Sequence, residues 1–179
     1  MRYSLIAIVL AASLSASVAG SAPAGYFRIG PGAVLETGDT LLMGGKRIRL
    51  YGLQSCLRGT RYTDLSGEKR DCGEASIAVL AAFIKDTAPV CAPVAQQRDQ
   101  IFVVCFATVG NHGLDLAMML IAEGYGFASL RPDGLPEYAP YAVAEQGARD
   151  GHKGLWQFKD VQHPAILLSG AAKNSRSVP

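Results

Sequence analysis

Four cysteines, Cys56, Cys72, Cys91 and Cys105, constrain this chain more than any other feature, because of what precedes them. A short basic start at Met1-Arg2, an apolar run from Leu5 to Leu14 and the small residues Ser17-Val18-Ala19 have the layout of a secretory signal peptide. The apolar run is shorter than the roughly 20 residues that span a bilayer. Residues 1–19 are therefore expected to be cleaved after Ala19, delivering the protein to the periplasm or out of the cell. In an oxidising compartment an even cysteine count predicts disulfides, and four thiols can pair in three ways. No CxxC occurs and no His lies at zinc-ligand spacing from a Cys, so a structural zinc site is not expected. The preferred pairing is Cys56–Cys72, which would close a polar loop, with Cys91–Cys105, which would join two antiparallel strands.

Of the 179 residues, 49% are hydrophobic and 18% charged, enough apolar material for one cored domain. Residues 20–30 read as a lead-in, 31–160 as the folded domain, and 161–179 as a tail, small and polar from Ser169 on and expected to be disordered there. After the leader no segment is long and apolar enough for a membrane helix. Arg2 is the leader's one charged residue, so cleavage takes the net charge from +2 to +1. A non-specific nucleic-acid binder needs a dense basic patch. Lys46, Arg47 and Arg49 are the one cluster, with Arg58, Arg61, Lys69 and Arg70 scattered behind it, and a solvated loop is the favoured reading.

Tyr26–Ile29 and Ala33–Leu35 are short β-type runs broken by Gly30-Pro31-Gly32. Thr40–Met43, Gly44-Gly45 and Lys46–Tyr51 spell a hairpin with a two-glycine turn. Gln54–Asp71 is polar and rich in breakers, a long loop of the kind that is functional or pinned by a crosslink. Gly73–Lys85 is a predicted helix, capped by Asp71, with Ile77, Leu80, Ala81 and Ile84 as its apolar stripe. Val90–Val94 and Ile101–Ala107 are predicted strands around a polar link, Ala95–Gln100. Leu114–Glu123 is a second helix ended by Gly124 in the left-handed position, and Tyr138–Arg149 a third. Trp156 should pack on the barrel. The order predicts a mainly β fold with α: a small Greek-key barrel carrying about three packed helices.

Read in order, several signposts go together: Gly38-Asp39-Thr40, Ile48-Arg49-Leu50-Tyr51-Gly52, Cys72-Gly73-x-Ala75, Val103-Val104-Cys105, Gly113-x-Asp115-Leu116, Glu123-Gly124, Ala148-Arg149 and Gly154-Leu155-Trp156. From about Val34 to Phe158 this set resembles the thermonuclease (staphylococcal-nuclease-like) family. The resemblance implies a five-stranded OB-type barrel with three helices. It also implies a site that hydrolyses phosphodiester bonds with calcium, two acidic ligands, a glutamate base and two arginines. The family's Asp-Gly-Asp-Thr stands here as Thr37-Gly38-Asp39-Thr40, which keeps one calcium ligand, Asp39. Arg49 matches the first arginine. The family's Asp-x-Pro-Glu becomes Gln54-Ser55-Cys56-Leu57, so an amide replaces the second ligand and Leu57 the base. Gln100 stands at the second arginine, with Arg98 two residues away.

Losing a general base costs about 10²–10⁴ in rate and losing one charge-stabilising donor about 10²–10³. A single carboxylate makes at best a weak calcium site, so no cofactor is expected. The resemblance thus implies a catalytically impaired monomer that binds a polysaccharide or nucleic acid. In outline the chain is also similar to the secreted nuclease-like protein of rhizobial succinoglycan gene clusters, which would imply an accessory role in exopolysaccharide synthesis. Two alternatives stay open: a calcium-dependent phosphodiesterase with a relocated base, Glu68 or Asp71, and a structural envelope protein. His112, His152 and His163 read as surface histidines, and Tyr138 and Tyr141 as packing residues with an outside chance of stacking on a base or sugar.

Overall fold

The computed structural model describes residues 25–30 and 32–176; the signal-peptide segment and its cleavage point lie outside them. Two glycines start the architecture. Gly44 and Gly45 take φ of 57° and 74° and join strands β3 (Thr40–Met43) and β4 (Lys46–Leu50), a conformation open to glycine at little steric cost. On the other edge of β3 lies β2 (Val34–Leu35). The basic residues 46, 47 and 49 thus stand on a strand rather than in a loop. Ile48 and Leu50 point into the core and Arg47 and Arg49 face outward, as the period-2 pattern requires.

The chain returns to this meander through a parallel pairing of β4 with β9 (Gln100–Val109). β9 is the hub of the sheet: β8 (Val90–Gln97) runs antiparallel along one side, and β10 (His112–Asp115) continues beyond β4 on the other. With β1 (Phe27–Arg28) on β8, the order is β1-β8-β9-β4-β3-β2. The result is a mixed sheet curled into a half barrel and accompanied by four helices, of which α1 and α2 pack on β9. The link expected at Ala95–Gln100 is shorter than its polarity suggested. β8 and β9 zip up to Gln97↔Gln100, leaving Arg98, at φ 53°, and Asp99 as the turn.

Helix α1 runs Cys72–Thr87, with Asp71 accepting from the Glu74 N–H at 3.0 Å as expected of a cap. Its buried face carries Cys72, Gly73, Ser76 and Leu80, whereas Ala81 is exposed. Of the expected stripe, Leu80 is fully buried and Ile84 packs on the main core, so the face is largely the expected one. Ala81 lies outside it, and Ser76 is buried instead, satisfied by donating to the Tyr125 carbonyl at 2.8 Å. Helix α2 is shorter than expected, Leu116–Ala122. The residues before it pair with β9, and Asp115 caps the helix through the Ala117 and Met118 N–H groups. Gly124 follows at φ 78°. Helix α3 (Ala139–Asp150) buries Tyr141, whose hydroxyl donates to Asp115 at 2.7 Å and whose ring meets Tyr138 edge-on. Tyr141 packs as expected, whereas Tyr138 is half exposed and packs only through its edge contact with Tyr141; burial raises the Tyr141 phenol well above its ordinary pKa.

Both disulfides form with the preferred pairing. Cys91 and Cys105 face each other across β8 and β9, inside the main core with Leu41, Val103 and Leu120. Cys56–Cys72 pins the segment after β5 (Leu53–Gln54) to the start of α1, in a second cluster with Phe127 and Leu155. The long loop folds on itself as a hairpin, β6 (Arg61–Thr63) with β7 (Lys69–Asp71). β5 pairs with β11 (Phe127–Ala128). Trp156, in a short 3₁₀ turn over Gly154–Gln157, packs edge-on against Phe127. The tail expected to be disordered from Ser169 is helix α4, Pro164–Arg176, opened by a proline at a position where its missing N–H costs nothing.

Candidate functional site

Asp39 is the natural place to build from, because a carboxylate only 3% exposed must be satisfied from within. Gly38 lets it enter: a Cβ there would sit 2.5 Å from the Ser76 Cβ, so the β2–β3 turn can lie flat on α1 only with glycine. Four donors then converge on the two oxygens. Oδ1 accepts from the Thr37 hydroxyl at 2.6 Å and the Thr40 hydroxyl at 2.7 Å. Oδ2 accepts from the Ser55 N–H at 2.9 Å and from Arg49 Nη2 at 3.2 Å. The same Nη2 donates to Gln54 Oε1 at 2.9 Å, and Gln54 Nε2 donates to the Ser55 carbonyl at 3.1 Å. Three residues picked out from the sequence, Asp39, Arg49 and Gln54, thus meet in one network that ties β3 and β4 to β5.

The other two do not join it. Leu57 is an aliphatic side chain, and its carbonyl accepts from the Thr60 N–H and hydroxyl at 3.2 and 2.6 Å. Gln100 lies opposite Arg47, while Arg49 lies opposite Phe102. That puts Gln100 one dyad step, about 7 Å, further along the sheet. Arg98 sits in the β8–β9 turn and is exposed. The relocated-base candidates are committed elsewhere. Asp71 caps α1 and also accepts from the Gly59 N–H at 2.8 Å. Burial opposes its ionisation, but the Glu74, Gly59 and Gly73 N–H groups outweigh burial and hold the carboxyl below its ordinary pKa. Glu68 pairs with Arg70 in the hairpin.

These residues do not fit calcium. The ion takes six to eight oxygens with charge behind them. This network contains one carboxylate, both of whose oxygens already accept two hydrogen bonds, and an amide whose oxygen is taken by Arg49. Four of the exposed arginines are paired with carboxylates, whereas Arg28, Arg61 and Arg98 have no carboxylate partner among the described residues. Arg47 forms a two-pronged pair with Glu36 at 2.7 and 3.1 Å, Arg58 pairs with Glu74, Arg70 with Asp64, and Arg131 with Asp133. Guanidiniums neutralised in this way contribute little of the counterion release that drives nucleic-acid binding.

A second polar cluster has no counterpart among the sequence expectations. Glu145 of α3 is buried, and its Oε2 accepts from the Ala128 N–H at 2.7 Å, with His163 Nε2 lying 3.4 Å away. Arg149 Nη1 lies 3.8 Å from its other oxygen. His163 is not a surface histidine: its side chain is 12% exposed, and its Nδ1 accepts from the Ala165 N–H at 3.1 Å, capping α4. Arg149 also covers a face of Trp156, 4.5 Å from the ring centroid. These residues floor a cleft of about 980 Å³ between α3, α4 and the strand end at Ala128–Leu130. The i,i+4 spacing of Glu145 and Arg149 was the one sequence signal for it. No family model and no curated protein matches the chain.

Proposed function

We propose that this chain is a secreted, thermonuclease-like OB-type barrel whose former catalytic position has become a structural latch, and that it acts as a non-hydrolytic binding or accessory protein. The fold part of this reading draws support from the five main strands. Their order β8-β9-β4-β3-β2, a meander joined to a hairpin through one parallel pair, is compatible with a partly open five-stranded barrel. The two disulfides fit an oxidising destination.

The observation that carries the functional part is the saturated Asp39 carboxylate. A metal ligand needs free lone pairs and a transition-state clamp needs a free guanidinium edge. Here each Asp39 oxygen is filled by two donors, and Arg49 is turned onto Asp39 and Gln54. An accessory role in exopolysaccharide synthesis rests on the family resemblance alone. The test is cleavage of single-stranded DNA by the oxidised mature protein with calcium, beside Arg49→Ala and Leu57→Glu. The expected result is no cleavage by any of the three. Calcium-dependent cleavage that Arg49→Ala abolishes would overturn the proposal.

A further inference from the structure

We infer that His163 makes α4 an acid-released strap: the helix is held down while the ring is neutral and leaves its seat when the ring takes up a second proton. The device is independent of the Asp39 network. α4 is anchored at its start and loose along its body. Pro164 is buried, whereas Ile166 and Leu168 are 62% and 46% exposed. Open space borders the helix on two sides. One is the cleft of about 980 Å³ toward α3, the other a cavity of about 280 Å³ that Leu167 lines beside Cys56 and Cys72. Docking of α4 therefore depends on what fastens its first turn.

Both ring nitrogens of His163 are committed. Nδ1 accepts from the Ala165 N–H at 3.1 Å, the first donor of α4, since Pro164 has none. An accepting Nδ1 carries no proton, so the neutral ring holds its proton on Nε2, which faces Glu145 Oε2 at 3.4 Å. A second proton must enter at Nδ1, where an N–H already points. Protonation thus turns the cap's acceptor into a donor and sets an imidazolium against the positive end of a 13-residue helix.

The charged neighbours fix the sign. Glu145 attracts a cation, yet it faces Nε2, the side already protonated. Its charge is also shared with Arg149 Nη1 at 3.8 Å and with the Ala128 N–H at 2.7 Å. No other carboxylate lies within 4.0 Å of His163 among the described residues. From β11 the imidazole meets the uncharged Phe127 ring, 5.3 Å between centroids. Asp160, before α4, is turned to Thr63, and Arg131 across the cleft is paired with Asp133. Lys173 and Arg176 stand at the far end of α4. The docked helix therefore holds one proton fewer than the released one. Docking is complete above the range in which histidines titrate and is lost as pH falls through it. Release uncovers Phe127, which is fully buried when α4 is seated.

The test is amide hydrogen exchange, read by NMR on the oxidised mature protein at about pH 7.5 and about pH 5, with the intrinsic pH dependence of exchange divided out. Losing an N-cap corresponds to about a two- to thirtyfold change in the opening equilibrium of a helix. The expected result is exchange of the α4 amides Leu168–Ala171 that is faster by this factor at the lower pH, with the β9 amides unchanged. His163→Asn places an amide oxygen where Nδ1 stands and does not titrate, so its α4 stays protected at both pH values. His163→Ala loses protection at both, with no pH response. The inference is overturned if the parent's α4 exchanges equally at the two values or more slowly in acid. It is also overturned if His163→Asn responds as the parent does, which moves the response to another group, or if His163→Ala is as protected as the parent. None of these outcomes bears on the non-hydrolytic reading, which the DNA cleavage assay decides.

Discussion

Replacing Asp39 by alanine separates a latch from a working ligand by the sign of its effect on stability. The substitution strips four donors of their acceptor. Two are threonine hydroxyls, from Thr37 and Thr40, which can rotate toward other partners. The other two cannot escape. The Ser55 N–H belongs to a residue 2% exposed and would be left unpaired, at about 1–3 kcal/mol. Arg49, whose side chain is 28% exposed, keeps only the neutral Gln54 oxygen, and its partial access to water reduces that loss. Together these place Asp39→Ala at about 3–5 kcal/mol, the range for removing one partner of a buried pair. Asp39→Asn, with its oxygen toward Ser55 and Arg49 and its amide toward the two rotatable hydroxyls, should cost about half as much. Urea unfolding with the disulfides intact measures both from the shift in midpoint at constant slope. A cost below about 1 kcal/mol for alanine, or any gain, would refute the latch, because groups held for function commonly stabilise the fold when removed.

Two further outcomes follow from the crosslinks and the hairpin. Labelling of the unfolded, unreduced protein should find no free thiol, and Cys56→Ser with Cys72→Ser should lower stability by about 3 kcal/mol, the loop-entropy value for a ring of this size. The Asp160 carboxylate accepts from the Thr63 hydroxyl at 2.8 Å and the Thr63 N–H at 2.9 Å, and these bonds hold its pKa below the ordinary value. Since a lowered carboxyl stabilises only while ionised, the tether of the β6–β7 hairpin is intact at neutral pH and is lost as pH falls through the folded-state value. The Thr63 amide signal should therefore titrate with a midpoint below about 3.9, the unperturbed value.

Much of the scaffold was legible because its signals are local. Gly44-Gly45 announces a turn, Asp71 a helix start, and Ile48 with Leu50 an inward face. What failed depended on distant partners. Arg98 turns the chain at positive φ without the glycine that would advertise it. Leu114 looked helical because apolar residues follow it, although it sits in a strand paired to Ala107 and the cap signal was Asp115. Ser76, a polar residue outside the apolar stripe, is buried because Tyr125, 49 residues away, supplies its acceptor.

The site divides the same way. Asp39, Arg49 and Gln54 were each found by position, and Gln54 was read only as a missing carboxylate. Its use as the amide that receives Arg49 depends on β4 and β5 lying side by side. Glu145 and His163 gave almost no warning, because burial of a carboxylate against the Ala128 N–H is a property of packing rather than of pattern.

The most direct check on the latch is a calcium titration of the mature protein, following the Asp39 side-chain carboxyl and the Ser55 amide by NMR. With both oxygens filled, neither signal should move saturably up to about 10 mM calcium, a range that covers even weak extracellular sites. Saturable movement of both, with loss of the Arg49–Asp39 pairing, would mean that the ion can displace the internal donors and that Asp39 is still a metal ligand.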